Sequence, residues 1–224
     1  MPRTKQVKRA TGPSRVEIKS KAILDAATEL FVKHGYHGTS MDTVSKTLGV
    51  TKPFLYYYFK DKADILAAIC RQGADLTYDA VIETETLAGT PTQRLAFFAR
   101  SMAGIVMQHG RYLAVYRSEI SNLRDEDRRQ IRRLRGTIDL KVEALIQSGI
   151  DSGEFDVDDV PITATSITGM LSHIFRWYRP DGAASAEKVA SVSETLVLRM
   201  VGVATPSPRR ARPVRPARAA PAEA

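Results

Sequence analysis

The 224-residue sequence is poor in the features that would tie it to several common classes. It has one cysteine, Cys70, and one tryptophan, Trp177. A lone thiol cannot close an intrachain disulfide, so packing must hold the fold, and a reducing, cytoplasmic setting is expected. No apolar run approaches the ~18 residues of a membrane-spanning helix, and the N-terminus lacks the apolar core of a signal peptide. A Gly-rich phosphate loop, a nucleophile elbow and metal-ligand spacing are all missing, so neither an enzyme nor a cofactor protein is expected. His34 and His37 flank Gly35 without a cysteine or carboxylate at ligand spacing, which argues against a metal site. Strand-type alternation persists nowhere, so the expected fold class is all-α. At 43% hydrophobic residues the chain can still build a real core.

Charge of one sign is concentrated at the ends. Of the net +8, the segment 1–15 carries +5 and the segment 205–224 carries +4, which leaves −1 for 16–204. The body is therefore close to neutral, and the basicity describes two cationic arms attracted to polyanions. For the first, the two readings are an arm that reaches a polyanion and a solvated tail without a role. The second mixes Pro, Ala and Arg without apolar periodicity and is expected to be disordered.

The most informative stretch is Thr39 to Lys62. Ser40 is a good N-cap, and Met41, Val44 and Leu48 follow at helical spacing. Gly49 suits a helix end that needs positive φ. Thr51 is a second N-cap, and Pro53 sits in a first turn where its missing N–H costs nothing. Two short helices joined by a Gly-containing turn are the geometry that places a second helix in a DNA major groove. At about 100° per residue, Leu55 and Phe59 face inward, Tyr58 lies on the inner shoulder, Phe54 and Tyr56 flank, and Pro53 and Tyr57 point outward. Three adjacent tyrosines are thus not one apolar face, and a tyrosine turned outward can donate to a phosphate or pack on a thymine methyl. The competing reading is a buried hairpin with the tyrosines inside.

These residues resemble the TetR family of transcriptional regulators. The likeness begins at Ile23-Leu24-Asp25-Ala26-Ala27, passes through Leu30-Phe31, Gly35-Tyr36 and Thr39-Ser40-Met41, and ends with Leu48-Gly49-Val50-Thr51-Lys52, Leu55-Tyr56-Tyr57-Tyr58-Phe59 and Lys62. It implies that Lys52, Pro53, Tyr56 and Tyr57 face base edges or backbone and that Tyr58 and Lys62 hold phosphates. Ser40, Thr51 and Phe54 complete the candidate DNA-binding set. Phe54 departs from the family, which usually has a small or hydroxylated residue there; a ring against thymine methyls is the expected substitute.

The remaining chain reads as helices. Residues 16–34 carry a stripe of Ile18, Ala22, Ile23, Ala26, Ala27, Leu30 and Phe31, and Asp61 caps a helix from about 62 to 86. A break at Gly89-Thr90-Pro91 precedes a helix over 92–109; Gly110 is expected to interrupt it, with a shorter helix after it. A charged helix over 123–150, one over 160–178 rich in small residues, and a last one capped by Ser185 follow. The expected domains are an arm (1–15), a three-helix DNA-binding domain (16–62), a helical ligand-binding and dimerisation domain (63–204) and a tail (205–224). The family resemblance implies that the last two helices form a four-helix bundle between two subunits.

One later stretch suggests a ligand. His173 to Gly182 sets the only tryptophan beside two arginines, and its WYRPDG wording resembles TetR-type regulators that answer to acyl-CoA thioesters in fatty-acid or steroid breakdown. That resemblance implies an effector with an adenine, phosphates and an apolar chain, for which His173, Arg176, Trp177 and Arg179 are candidate contacts. Phe98, Met102, Tyr112, Tyr116 and Met170 are candidate apolar linings. The plainer alternative makes Trp177 an interface anchor and leaves Arg176 and Arg179 to cap carbonyls. The expected function is a homodimeric repressor on an inverted-repeat operator, released by a small molecule. The alternatives are a different effector, such as an apolar drug-like compound, and a sequence-tolerant nucleoid-associated protein.

Overall fold

The computed structural model describes residues 15–203; both basic arms lie outside these apart from Arg15. Among the described residues there are helices and turns and no strands, as the missing alternation led us to expect. No helix among them is long and apolar enough to cross a membrane.

The chain opens with α1 (Arg15–His34), α2 (Met41–Leu48) and α3 (Lys52–Tyr58). Ser40 Oγ accepts the Thr43 N–H at 3.1 Å and starts α2. Gly49 ends it at φ +66°, with its N–H on Lys46 O and that of Val50 on Ser45 O. Thr51 then caps α3, and Pro53 lies in its first turn. Next come α4 (Lys62–Thr86), capped by Asp61, and α5 (Pro91–Glu119), whose Thr90 and Gln93 form a reciprocal capping box. A short 3-10 turn (Ile120–Asn122) leads to α6 (Asp125–Asp151), followed by α7 (Val160–Ser172), the single turn α8 (Ile174–Trp177) and α9 (Ala186–Met200).

One boundary agrees with the sequence reading and one differs. The interruption expected at Gly110 is present as a kink at His109 (φ −120°, ψ 15°), which divides α5 into two helical stretches. Gly110 is there for proximity: a Cβ on it would lie 2.4 Å from Phe175 Cβ. The helix expected over 160–178 breaks at His173, whose N–H turns back to Met170 O, three residues earlier, and this redirects the Ile174–Trp177 turn.

Two apolar clusters organise the molecule. The larger joins Val81, Phe98, Val106, Ile138, Ile146, Ile167, Leu171 and Val197 from α4, α5, α6, α7 and α9. The second belongs to the reading head, with Ile23, Phe31, Val44, Leu55, Phe59 and Ile65. It also contains Tyr112, Val115, Leu123 and Ile131, which arrive from α5, α6 and the turn between them. The head is therefore closed from behind by the regulatory helices, and α4 runs through both clusters.

The end of α6 offers a stability test. Gly149 O accepts the N–H groups of Glu154 and Phe155, which folds the buried Phe155 ring back over the helix. A Cβ at Gly149 would lie 2.0 Å from Phe155 Cδ2. Overpacking of about 1–3 kcal/mol exceeds the helix-propensity gain of about 0.5–1 kcal/mol. Gly149→Ala should lower the urea midpoint without changing the slope of the transition, measured by far-UV circular dichroism.

Candidate DNA-reading surface and effector cavities

Helix α3 buries one side and offers the other. Leu55 and Phe59 are buried, whereas Thr51, Lys52, Pro53, Tyr56 and Tyr57 are exposed, Tyr57 at 77%. The tyrosines are not packed inside as the hairpin alternative required. Phe54 and Tyr58 are half-buried, with their rings 5.2 Å apart, and Lys19 Nζ stands 5.3 Å from the Phe54 ring centre. Phe54 thus braces α3 against α1 rather than projecting from it, and only part of its ring is left for a partner.

Asp42 was not singled out from sequence, yet it stands beside the exposed side of α3. Its carboxylate holds Lys52 Nζ at 2.9 Å and Lys46 Nζ at 3.1 Å. Lys52 and then Lys46 keep the Asp42 carboxyl below its ordinary value, and Asp42 in turn raises the Lys52 ammonium. The Asp42–Lys46 spacing of one helical turn was readable; the link to Lys52 exists only because Gly49 folds α3 back beside α2.

Lys62 requires a correction. Its ammonium donates to Tyr36 O and Thr39 O, both at 2.7 Å, and lies 4.2 Å from the Tyr36 ring centre. Burial lowers its pKa below that of a free lysine. It braces the turn that leads into α2 and does not extend from the surface as a phosphate-holding arm.

The candidate effector residues do not converge on one place. Phe98 lines a cavity of about 110 Å³ beside Arg94 and Lys141. Met102 lines another of about 220 Å³ with Arg117, Arg135, Asp139 and hydroxyls of α7. Burial raises the Asp139 carboxyl, against the opposing pull of Arg135. Tyr112 and Arg179 border a third cavity, of about 700 Å³, between α1, the α5 kink and the chain after α8. Tyr116 lies under the Arg135 guanidinium at 4.4 Å and packs towards the head, while Met170 packs on the larger core. His173 Nε2 meets Arg117 Nη1 at 3.1 Å. Arg176 is exposed, as is Trp177 at 57%. Arg179 donates to Tyr178 O at 2.9 Å and to Arg176 O at 3.4 Å, which is the carbonyl-capping alternative. Phe98, Met102, Tyr112 and Tyr116 are spread along the one long helix α5, and the residues after α7 follow a break at His173.

The large cavity brings forward residues that the sequence did not mark: Lys21, Asp25, Glu29, His109 and Arg111. Burial and then Lys21 hold the His109 imidazole below its usual value. No local spacing signals this group, because α1 and α5 are far apart in the chain.

A helix-turn-helix that exposes one face of its second helix, closed from behind by a larger helical domain, defines a DNA-binding regulator of transcription. The comparisons narrow the class. Residues 23–69 match the family described as bacterial regulatory proteins, tetR family, and residues 88–201 match the tetracyclin repressor-like C-terminal domain. The chain belongs to the TetR family. It is 25% identical over 189 residues to the HTH-type transcriptional repressor KstR2 of Mycolicibacterium smegmatis, covering 83% of this chain and 92% of that protein. It is 25% identical over 166 residues to the fatty acid metabolism regulator protein of Bacillus subtilis, covering 73% of this chain and 85% of that one. Among solved structures, AibR in complex with isovaleryl coenzyme A and operator DNA is 26% identical with a TM-score of 0.71, covering 80% of this chain and 98% of that one. PfmR of Thermus thermophilus is 29% identical with a TM-score of 0.73, covering 79% and 97%. These relatives are regulators, not enzymes.

The contrast between Tyr57 and Lys62 is measurable by thermal melting. Tyr57→Ala removes an exposed ring and should leave stability within about 0.5 kcal/mol. Lys62→Met keeps the stem but leaves two carbonyls without their donor, and should cost about 1–3 kcal/mol.

Proposed function

We propose that this chain is a homodimeric transcriptional repressor that binds an inverted-repeat operator and is released by a small-molecule effector. The observation that carries this reading is the exposed row of Lys52, Pro53, Tyr56 and Tyr57 on a helix that packs on α2 and buries Leu55 in the apolar cluster of the head. Ser40 and Thr51 stand at the N-termini of α2 and α3, where backbone N–H groups favour phosphate. In this reading the DNA-binding domain (16–62) contacts the operator, and the ligand-binding and dimerisation domain (63–204) sets the spacing of two heads.

Dimerisation is supported by an unpartnered face on α7 and α9. Ile162 is 65% exposed, Thr165 and Ser166 follow on the same side of α7, and Val192 and Leu196 lie exposed on α9. Small residues let a second copy's helices approach closely, and a twofold dimer presents α3 to two half-sites about one or more turns of DNA apart.

Acyl-CoA is the favoured effector class. The fatty acid regulator and the isovaleryl coenzyme A complex among the relatives support it, as does the cavity of about 700 Å³. Val106, Met107 and Phe175 there suit an acyl chain; Lys21, Arg111 and Arg179 suit phosphates. Arg176 and Trp177 stand close by in the chain, on the exposed turn that leads to Arg179. The effector shifts the dimer by preferring heads that are wrongly spaced, and its differential affinity sets the size of the shift.

Selection from random duplexes by the full chain should return an inverted repeat, and Tyr57→Ala should bind it about tenfold or more weakly at constant salt. A panel of acyl-CoAs, free fatty acids and apolar drugs should show the largest melting-temperature rise with one acyl-CoA. Arg179→Ala should spare DNA binding and blunt that rise. Selection of no preferred sequence overturns the repressor reading, and a rise only with a non-thioester overturns the acyl-CoA assignment.

A further inference from the structure

The regulatory helices hold the reading head by polar contacts at two places. At the first, Arg124, just ahead of α6, reaches Asp61 and Asp64 at 2.5 Å each, in the opening turn of α4. All three side chains are substantially exposed, and no cavity adjoins them among the better-formed ones. At the second, Tyr112 Oη on α5 donates to Asp25 Oδ1 on α1, and the neighbouring Arg111 pairs with Glu29 one turn further along α1. Lys21 Nζ, at 2.9 Å, completes the Asp25 cluster. The Arg111–Glu29 pair is exposed and contributes little. Tyr112 is different: its ring is buried in the core of the head, so its hydroxyl has one fixed direction.

The surroundings of this second contact set it apart. Asp25, Glu29, Arg111 and Tyr112 all line the cavity of about 700 Å³. Arg111 and Tyr112 directly follow the kink at His109 and the close approach of Gly110 to Phe175. Phe175, Tyr178 and Arg179, which also line the cavity, belong to the segment that begins at the His173 break. A shift of that segment therefore presses on Gly110, where there is no room for even a methyl group, and the next two residues carry the bonds to α1.

The geometry points to the Tyr112–Asp25 bond as a coupling strap: closed, it sets the tilt of the head relative to α5, and filling the adjacent cavity opens it. Tyr112 and Asp25 are positioning residues, since neither faces DNA. The inference deepens the effector-released reading above and rests on it, while naming a transmitting contact that this reading does not require. The head core, shared through Val115, Leu123 and Ile131, remains buried when the strap opens, so the head pivots without unfolding.

The test uses the full chain as wild type, Tyr112→Phe, Asp25→Ala and the double variant. Gly149→Ala serves as a control that lowers stability far from the strap. Two quantities are read: affinity for the duplex selected by the wild type, by fluorescence anisotropy, and amide hydrogen exchange along α1. Each single variant should weaken operator binding by about three- to tenfold, the double variant no further than the weaker single, and α1 amides should exchange faster in all three. Gly149→Ala should stay within twofold of wild type. Wild-type affinity in Tyr112→Phe, or an equal loss in Gly149→Ala, overturns the strap. If the wild type selects no sequence, the repressor reading has failed and exchange alone judges the strap: faster α1 exchange in Tyr112→Phe supports it, and unchanged exchange overturns it.

Discussion

Burial of Leu55 and Phe59 beneath α1, α4 and the regulatory helices is the constraint on which the structure depends. A helix as short as α3 has no independent stability in water, because nucleation is costly and few hydrogen bonds follow. It exists because its inner side completes a cluster that already contains Ile23, Phe31, Val44 and Ile65. Tyr112, Val115, Leu123 and Ile131 close that cluster from the other domain. The inner side of α3 therefore shares an apolar core with residues of α5, α6 and the turn between them.

That sharing gives a physical route between distant sites. Packed cores respond by small discrete shifts rather than by continuous bending. Here polar contacts join the two parts at the Arg124 clamp on the start of α4 and at the Tyr112–Asp25 bond to α1, while the Lys62 brace under the turn before α2 holds the head internally.

Much of the reading head was legible because its signals are local. Ser40, Gly49, Thr51 and Asp61 cap through their own neighbours within a few residues, and the structure shows each doing so. The outward turn of Tyr57 followed from helical period alone. Lys62 was misread because its partners, Tyr36 and Thr39, lie more than twenty residues earlier, and nothing at its own position says which way its stem bends. The interruption read at Gly110 is present as the kink at His109, but nothing local says that Gly110 also admits Phe175. The effector residues suffered most. They come from α5, α7 and the segment after the break at His173, and no local spacing says which of them meet.

By itself, the sequence determined the helical class, the helix-turn-helix with its caps, the outward face of α3 and the concentration of positive charge in the arms. All of these depend on contacts or periodicities spanning a few residues, or on plain composition. Tertiary structure alone decided that Lys62 braces instead of reaching outward, that Asp42 meets Lys52, that Phe98, Met102, and Tyr112 with Arg179 fall in three different cavities, and that Tyr112 meets Asp25. Those outcomes depend on how helices distant in the chain cross one another. Crossing is set by packing of the whole core, which no local spacing encodes.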